Sequence, residues 1–334
     1  MPKVFISTAP FAELNQYPIQ LLESEGISYE ANPLKRKLTE SELTEMIGES
    51  EALIAGTEPI TDRVLSNAKN LKIISRVGVG LDSVDLLAAE RRRIQVSYTP
   101  DAPVNAVAEL TIGLIFSTLR FISTSNLKMH RGEWHRHFGR RLSQVSVGIV
   151  GVGRIGSEVI KLLTSLNVRR ILANDIYQDK RRTRQENLVW VDKETLFREA
   201  DVISIHCPLT SETKNMICKD QLVTMKKGAV LINTARGGII NETDLTCMLR
   251  SRHLSGAAID VFEKEPYQGE LAGIEHCLLT SHMGSMSIDC RERMEEEATK
   301  EVIRFFNGVK LENSVPSTEY EIQRRGILRC VSAL

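Results

Sequence analysis

The sequence predicts an α/β fold with two doubly wound parallel sheets, because short β-branched runs alternate with longer amphipathic segments along almost the whole chain. The 334 residues suffice for about two domains, and an apolar fraction of 42% supports a hydrophobic core in each. A second alternation begins at Val147, and a glycine-rich turn follows its first strand. These three observations indicate two α/β domains in one chain.

The first hundred residues contain a complete small α/β unit. We predict its strands at Val4–Ser7, Ala52–Ala55 and Ile73–Arg76, and its helices at Tyr17–Glu25 and Thr39–Ile47. Thr39 followed by Glu42 is typical of a capping box, which satisfies free backbone N–H groups at a helix start.

A mainly apolar helix at Asp101–Arg120 leads into the second alternation. We predict six strands there: Val147–Val150, Ile171–Asn174, Val202–His206, Ala229–Asn233, Gly256–Asp260 and Cys277–Thr280. Six strands in this arrangement are typical of a nucleotide-binding domain. A last helix is expected near Ile288–Phe306, and Ser317–Leu334 is expected to be a flexible tail.

The last helix determines the domain organisation. If the chain returns to the first unit at this helix, the C-terminus completes that unit, and the second unit is inserted into the first. We therefore predict two Rossmann-like domains: a discontinuous substrate domain of residues 1–101 and 285–334, and a nucleotide-binding domain of residues 102–284. A cleft between them, with a hinge near 101 and 285, is the expected active site.

Composition and charge exclude several classes of protein. The chain has 43 basic and 43 acidic residues, which gives no basic surface for nucleic acid or membranes. It has neither a signal-peptide pattern at its start nor an apolar run long enough to span a bilayer. The cysteines, which include no Cys-x-x-Cys pair, indicate reduced and mostly buried thiols in a cytoplasmic protein: Cys207, Cys218, Cys247, Cys277, Cys290 and Cys330.

The glycine-rich turn predicts a dinucleotide site. Gly151 permits a tight turn, Gly153 lets phosphates approach the backbone, and Gly156 lets the following helix pack closely. The start of that helix offers free N–H groups to the pyrophosphate. Asp175, at the end of the next strand, can accept both ribose hydroxyls and would repel a 2′-phosphate, which favours NAD over NADP. Three nearby cations argue against this preference: Lys180, Arg181 and Arg182.

Three further residues carry chemistry, and each follows a predicted strand of the second domain. Arg236 can hold a carboxylate in bidentate fashion and polarise a carbonyl. His282 is placed to transfer a proton, and a nearby carboxylate such as Glu265 would orient its ring. Ligands bind at the carboxyl ends of strands in open α/β sheets, so these side chains are expected to converge.

These features resemble the NAD-dependent D-isomer-specific 2-hydroxyacid dehydrogenases, and in particular short D-3-phosphoglycerate dehydrogenases. The resemblance extends to about residue 313 and rests on Arg76–Asp82, Pro103–Thr111, Gly148–Gly156, His206–Thr210, Asn233–Gly238, Ala258–Pro266 and His282. It implies that Arg236 holds the substrate carboxylate, that His282 is the acid–base and that Glu265 pairs with it.

The resemblance also assigns binding residues and an assembly. The backbone amides of Val79 and Gly80 would bind the substrate carboxylate. The cofactor would contact Arg154 and Ile155 at its pyrophosphate, and further residues elsewhere: Cys207, Pro208, Thr210, Thr234, Ala235 and Asp260. In such relatives the segment around Trp134 is an arm that packs on a partner subunit, which implies a homodimer.

The substrate stays open between a phosphorylated and an unphosphorylated 2-oxo acid. Phosphoglycerate enzymes commonly carry Arg-Ser after the strand equivalent to Ala52–Ala55, whereas this chain has Gly56-Thr57-Glu58, and Glu58 would repel a phosphate. Four arginines are candidate replacements: Arg131, Arg136, Arg140 and Arg141. The alternatives are reduction of hydroxypyruvate or glyoxylate, and a non-catalytic NAD-sensing protein like the corepressors of this family.

Two other readings are disfavoured. A formate-type oxidase would have glutamine in place of Glu265. His130, His135 and His137 surround Trp134, but no second shell is evident for a metal, so we expect no metal site.

Overall fold

The computed structural model describes residues 2–178 and 187–332, with side chains as far as Arg325. These residues form two compact units, Met1–Pro103 with Ser285–Leu334, and Val104–Gly284. Each unit contains one sheet whose strands are all parallel, and the predicted α/β fold is therefore confirmed. The basic run at residues 180–182 lies outside the described residues.

The first unit is built on five strands: β1 (Lys3–Ile6), β2 (Ser28–Ala31), β3 (Ala52–Ala55), β4 (Ile73–Arg76) and β5 (Gln95–Tyr98). Their order in the sheet is β2-β1-β3-β4-β5, so the direction of winding reverses between β1 and β3. Every residue of β3 and β4 is buried, as expected for central parallel strands covered on both faces. All four residues of β2 are exposed, which is why the sequence showed no strand signal there.

Helices cover this sheet. Their bounds are α1 (Tyr17–Ser24), α2 (Glu40–Met46), α3 (Asp62–Asn67), α4 (Leu86–Arg91), α11 (Ile288–Phe306) and α12 (Ser317–Ser332). The predicted capping box is present, since Thr39 and Glu42 bond reciprocally at the start of α2. The helix α11 packs on β3 and β4, and the Ser75 hydroxyl on β4 donates to the Ala298 carbonyl at 2.8 Å. The C-terminal segment thus completes the first unit.

The second unit is built on seven strands: β6 (Ser146–Val150), β7 (Arg170–Asn174), β8 (Leu188–Trp190), β9 (Val202–Ile205), β10 (Val230–Asn233), β11 (Gly256–Ile259) and β12 (Cys277–Leu279). Their order is β12-β11-β10-β9-β6-β7-β8, and the winding reverses between β6 and β9. The sequence predicted six of these strands. It missed the short edge strand β8, which has no buried residue.

Helices cover both faces of this second sheet: α5 (Val104–Leu119), α6 (Ile122–His130), α7 (Arg154–Ser165), α8 (Lys193–Glu199), α9 (Lys219–Thr224) and α10 (Glu242–Arg250). One hydrophobic cluster contains Leu172, Ile203 and Leu231, and the other contains Val147, Ile171 and Ile232. Because side chains alternate along each strand, the two clusters lie on opposite faces of one sheet. The carboxyl ends of the strands, where ligands bind in open α/β sheets, therefore project from a sheet that is packed on both faces.

The expectation of a flexible tail is wrong for Ser317–Ser332, which forms helix α12. Tyr320 packs against the core of the first unit. The Gln323 side chain accepts a hydrogen bond from the Leu86 N–H at 3.0 Å and donates to the Val84 carbonyl at 2.8 Å. Gln323 therefore satisfies backbone groups at the start of α4, a tertiary contact with no sequence signature.

The expectation of mostly buried cysteines is also wrong. Of the five whose side chains are described, Cys277 and Cys290 are buried, Cys207 and Cys218 are half-buried and Cys247 is exposed. All five are free thiols.

Within the described residues, no individual helix combines the length and apolar character needed to cross a membrane, although the bent pair α5 and α6 meets that test together.

Candidate active site

The glycine loop joins β6 to α7 and forms a cradle. Gly151 has a φ of +93°, and a Cβ there would lie 2.6 Å from the Cys207 nitrogen. A Cβ on Gly156 would lie 2.0 Å from the Gly151 carbonyl oxygen, so both positions require glycine. A Cβ on Gly153 would meet nothing within 4 Å. The backbone at Gly153 is therefore open to an incoming group.

The helix α7 begins directly at this opening. Gly153 is its N-cap and makes no side-chain capping bond, so the first N–H groups of a twelve-residue helix face the cradle together with Arg154 and Ile155. Free N–H groups and the positive end of a helix dipole are what a pyrophosphate requires. The loop thus fits the phosphates of a dinucleotide.

Asp175 follows β7 and lies beside the same loop. Its Oδ2 accepts the Val152 N–H at 2.6 Å, and its Oδ1 accepts the Tyr177 N–H at 2.8 Å. Two backbone donors orient the carboxylate at the edge of the cradle, where a ribose would lie. Asp175 thus lies beside the glycine loop, and its role toward a ribose stays a prediction.

The segment after β9 forms the other wall of the loop. Burial lowers the pKa of His206 to about 3 and raises that of Cys207 to about 11, so at neutral pH both are uncharged. The His206 Nε2 lies 2.8 Å from the Ser204 hydroxyl. The Thr210 hydroxyl accepts the Glu212 and Thr213 N–H groups, and Pro208 accepts the Thr213 hydroxyl at 2.6 Å. This segment gives a neutral lining beside Gly151.

Glu265 and His282 form a pair. The His282 Nδ1 lies 2.9 and 3.0 Å from the two carboxylate oxygens of Glu265, and both side chains are partly exposed. The Glu265 Oε1 also accepts the Phe262 N–H at 3.2 Å. With Nδ1 engaged by a carboxylate, the Nε2 of the ring is directed outward. The sequence placed these two residues seventeen positions apart, and the structure brings them together.

Asp260 anchors the turn that carries His282. Its Oδ1 accepts the Thr280 hydroxyl at 2.6 Å and the Met283 N–H at 2.9 Å, and its Oδ2 accepts the Gly284 N–H at 3.0 Å. The Asp260 carbonyl accepts the His282 N–H at 2.8 Å. His282 itself has a φ of +51°, a conformation that few residues adopt unaided. Sequence reasoning missed this anchoring, because it depends on how two loops meet.

A second support holds the loop that carries Glu265. The Glu242 carboxylate, in the first turn of α10, accepts the Glu263 N–H at 2.7 Å. Burial, with the nearby carboxylates of Glu263 and Glu265, raises the pKa of Glu242. Nothing in the sequence pointed to Glu242.

Arg236 lies in a turn that Asn233 builds at the end of β10. The Asn233 amide donates to the Arg236 carbonyl at 2.9 Å, and its oxygen accepts the Ala235 N–H at 3.0 Å. A Cβ on Gly237 would lie 2.0 Å from the Phe262 backbone, so this turn packs directly against the segment that leads to Glu265. Thr234 is buried with its hydroxyl 2.9 Å from that of Thr111. The strands β10, β11 and β12 are neighbours in the sheet. The carboxyl edge that they form therefore carries Arg236, Glu265 and His282.

Val79 and Gly80 lie in the first unit, in the loop that follows β4. The adjacent Gly78 N–H donates to the Thr99 hydroxyl at 2.7 Å, which fixes the start of that loop. Within residues 2–178 and 187–332, the backbone N–H groups of Val79 and Gly80 have no acceptor. Two consecutive unused amides suit a carboxylate.

The arginines considered for phosphate binding and the histidines considered for a metal site contact other residues. Arg131 pairs with Glu275, and Arg140 donates to the Gly228 carbonyl at 2.9 Å and lies 3.5 Å from Asp201. His135 and His137 meet edge to face at 4.3 Å between ring centroids. The described residues contain no group of three His, Cys, Asp or Glu side chains arranged to hold a metal ion.

Comparison with known proteins identifies the family of this chain. The model of the D-isomer specific 2-hydroxyacid dehydrogenase NAD-binding domain matches residues 112–284. A glyoxylate reductase of Thermofilum pendens is 38% identical over 280 residues, which are 80% of this chain and 81% of that protein. A D-3-phosphoglycerate dehydrogenase of Methanocaldococcus jannaschii is 33% identical over 95% of this chain, but this chain spans 60% of it. A solved glyoxylate reductase of Paecilomyes thermophila has a TM-score of 0.84 at 25% identity, covering 95% of this chain and 99% of that one.

The family and the cradle agree on the cofactor. The matched model describes an NAD-binding domain, and its range includes the glycine loop, the Asp175 edge and the Glu265–His282 pair. The chain therefore belongs to the D-isomer specific 2-hydroxyacid dehydrogenase family, as an oxidoreductase that uses NAD and transfers hydride between that cofactor and a 2-hydroxy or 2-oxo acid.

Proposed function

We propose that this enzyme reduces a small 2-oxo acid such as glyoxylate or hydroxypyruvate, with His282 as the proton donor, Glu265 as its partner and Arg236 as the substrate-binding cation. The observation that carries the proposal is the Glu265–His282 pair, with His282 Nδ1 within 3.0 Å of both carboxylate oxygens. The glyoxylate reductase among its relatives supports the choice of substrate.

NADH supplies the hydride when it is bound in the Gly151–Gly156 cradle. Arg236 holds the carboxylate of the 2-oxo acid and polarises the adjacent ketone. His282 donates a proton from Nε2 to the forming alkoxide, and Glu265 stabilises the protonated ring through Nδ1.

The direct test is the variant His282→Ala. We expect kcat for hydroxypyruvate to fall about a hundred- to ten-thousand-fold, because general acid catalysis contributes that much. NADH affinity, measured by fluorescence titration, should change little. Near-normal turnover would refute the assignment. A wild-type protein that binds NADH but consumes none with a panel of 2-oxo acids would instead support a sensing protein.

A second candidate substrate is 3-phosphohydroxypyruvate. The D-3-phosphoglycerate dehydrogenase relative favours it, since the similarity extends over 95% of this chain. Comparing kcat/KM for hydroxypyruvate and its 3-phosphate would decide between the two.

We also propose that the enzyme is a homodimer assembled through the segment 131–141, defined here as the arm. The arm exposes 80% of Trp134 and all of Phe138, and neighbouring Ile122 and Met129 on α6 are also exposed. Apolar side chains clustered at the surface indicate a protein interface. A second copy of this chain is the partner that the family resemblance implies.

A further inference from the structure

A further carboxylate, that of Glu242, contacts the loop that carries Glu265. Two consecutive backbone N–H groups of this loop, which follows β11, donate to two different glutamates. The Phe262 N–H donates to the Glu265 Oε1 at 3.2 Å. The Glu263 N–H, the next along the chain, donates to the Glu242 Oε1 at 2.7 Å. The two carboxylates therefore lie beside the same short piece of backbone.

Packed elements hold both Glu242 and this backbone in place. Glu242 lies in the first turn of α10, which Asn241 caps. On the loop, a Cβ on Gly237 would lie 2.0 Å from the carbonyl carbon of Phe262, so another turn of the second unit packs directly against it. The Phe262 ring also stacks on Tyr267, with 4.1 Å between ring centroids. Packing therefore supports the position that Glu242 takes beside the loop.

The charges that face Glu242 from this loop are negative. Burial, with the carboxylates of Glu263 and Glu265, raises the pKa of Glu242, while the Glu263 N–H favours its ionised form. Burial and, to a smaller extent, the Glu242 charge raise the pKa of Tyr267. Among the described residues, no Lys, Arg or His side chain forms an ion pair with Glu242. Electrostatic interaction is reciprocal, so the Glu242 charge acts in turn on Glu265 and on the group that Glu265 holds.

Other charged groups on or against α10 have contacts of their own. At the far end of the helix, Arg250 pairs with Glu270 at 2.8 Å. Asp244 accepts the Lys219 backbone N–H from α9 at 2.8 Å. The Arg236 guanidinium donates to a backbone carbonyl of its own turn at 2.7 Å. Of the acids in the first turn of α10, Glu242 is therefore the one that contacts the loop of Glu265.

We propose that Glu242 is a positioning residue for the reduction, whose charge beside Glu265 favours the protonated form of the His282 ring and so extends the pH range over which His282 donates its proton. The inference deepens the proposed function and rests on it. Glu265 contacts the ring directly through Nδ1, and Glu242 adds a second negative charge to the same side. An opposite charge favours the charged form of a titratable group, and the effect weakens with distance and with solvent.

The test compares the pH profile of kcat/KM for hydroxypyruvate in wild type and in Glu242→Gln, which keeps an oxygen that accepts the Glu263 N–H but removes the charge. On the alkaline side, the pH at which kcat/KM falls to half should move down by about half a pH unit, less than the roughly 1–3 units that a charge in direct contact produces. The plateau at lower pH should stay within a few-fold of wild type. A residue that only supports the loop would lower the plateau and leave the midpoint unchanged.

The matched control is Asp244→Asn. It removes a charge from the same turn of α10, but from a side chain that contacts α9 and not the loop of Glu265. Its midpoint should coincide with that of wild type. An equal shift in both variants would overturn the specific role of Glu242.

The possible outcomes separate the two proposals. Reduction of no 2-oxo acid by wild type, or near-normal turnover in His282→Ala, would contradict the proposed function itself. Reduction of hydroxypyruvate with an unchanged midpoint in a folded Glu242→Gln variant would overturn only the role of Glu242. If that variant does not fold, Glu242→Asp decides, because it draws the charge back by one carbon. Its midpoint should move in the same direction by a smaller amount, and an unchanged midpoint would overturn the proposal.

Discussion

At the scale of single residues, Asp260 holds the turn that carries His282, the proposed proton donor. The family resemblance implies that Asp260 lines the cofactor site, which stays a prediction; its carboxylate accepts hydrogen bonds from Thr280, Met283 and Gly284. An acid in this position fixes the left-handed turn at His282, and misplacing a catalytic group by about 1 Å can cost about a hundredfold in rate.

We therefore expect Asp260→Asn to lower kcat at least tenfold, because an amide nitrogen cannot accept from a backbone N–H. Thr280→Val is the matched control: it removes one bond to Asp260 but keeps both backbone bonds, so its loss should be smaller. The NADH dissociation constant should stay within a few-fold in both variants. A large rise confined to Asp260→Asn would show that Asp260 contacts the cofactor instead.

His206 predicts how stability depends on pH. Burial lowers the pKa of its imidazole to about 3, against about 6.5 in an unfolded chain. Between these values the unfolded state binds one more proton, so stability falls as the pH decreases below about 6.5, by up to about 1.4 kcal/mol per pH unit. Urea unfolding from pH 4.5 to 8 should show a shallower acid slope for His206→Gln than for wild type. Identical slopes would contradict this account.

Candidate site residues could be proposed from the sequence where the chemistry is local to a motif. Arg236, Glu265 and His282 were predicted because each has a reactive side chain in the segment that follows a predicted strand, and their roles stay predictions. The supports at Asp260 and Glu242 were missed, since their roles exist only after distant loops meet. The sequence identified Glu58 as an acidic residue in a loop. Its burial could not be predicted, because it depends on how two loops pack together.

At the scale of elements, substitutions at two glycines test the proposed phosphate-binding role of the start of helix α7. Gly153→Ala adds a methyl group to open space, so the fold should keep its thermal stability while NADH binding weakens at least tenfold. Gly156→Ala places a Cβ 2.0 Å from the Gly151 carbonyl, so it should destabilise the protein itself. Thermal melting without NADH measures the loss of stability, and the increase in melting temperature on adding NADH measures the loss of binding. Equal loss of stability in both variants would argue against the open cradle.

Most elements with a strong pattern were predicted, but strand β5 was missed although three of its four residues are buried. The buried strands β3, β4 and β6 and the capped helix α2 each carry their own signal. The edge strands β2 and β8 have no buried residue, and β8 is only three residues long, so neither was predicted. The helix α12 depends on contacts of Tyr320 and Gln323 with the rest of the first unit, which composition alone does not indicate.

At the scale of the whole molecule, the arm predicts the oligomeric state. Replacing Trp134 and Phe138 together by glutamate should convert the proposed dimer to a monomer, because two apolar side chains would leave the interface and two charges would enter it. Light scattering after size exclusion would measure the mass. Ile176→Glu with Tyr177→Glu, a pair of equally exposed apolar side chains outside the arm, is the matched control. A wild type that elutes as a monomer would contradict the proposal.

The discontinuity of the first unit has a consequence for synthesis. Its strands leave the ribosome before the whole of Val104–Gly284, yet α11, which covers β3 and β4, is translated after that stretch. At about 5–20 residues per second, the early strands wait of order ten seconds or more with an apolar face uncovered. During that interval the contiguous second unit has its full sequence available. Nascent chains stalled before residue 288 should therefore engage chaperones through their first hundred residues.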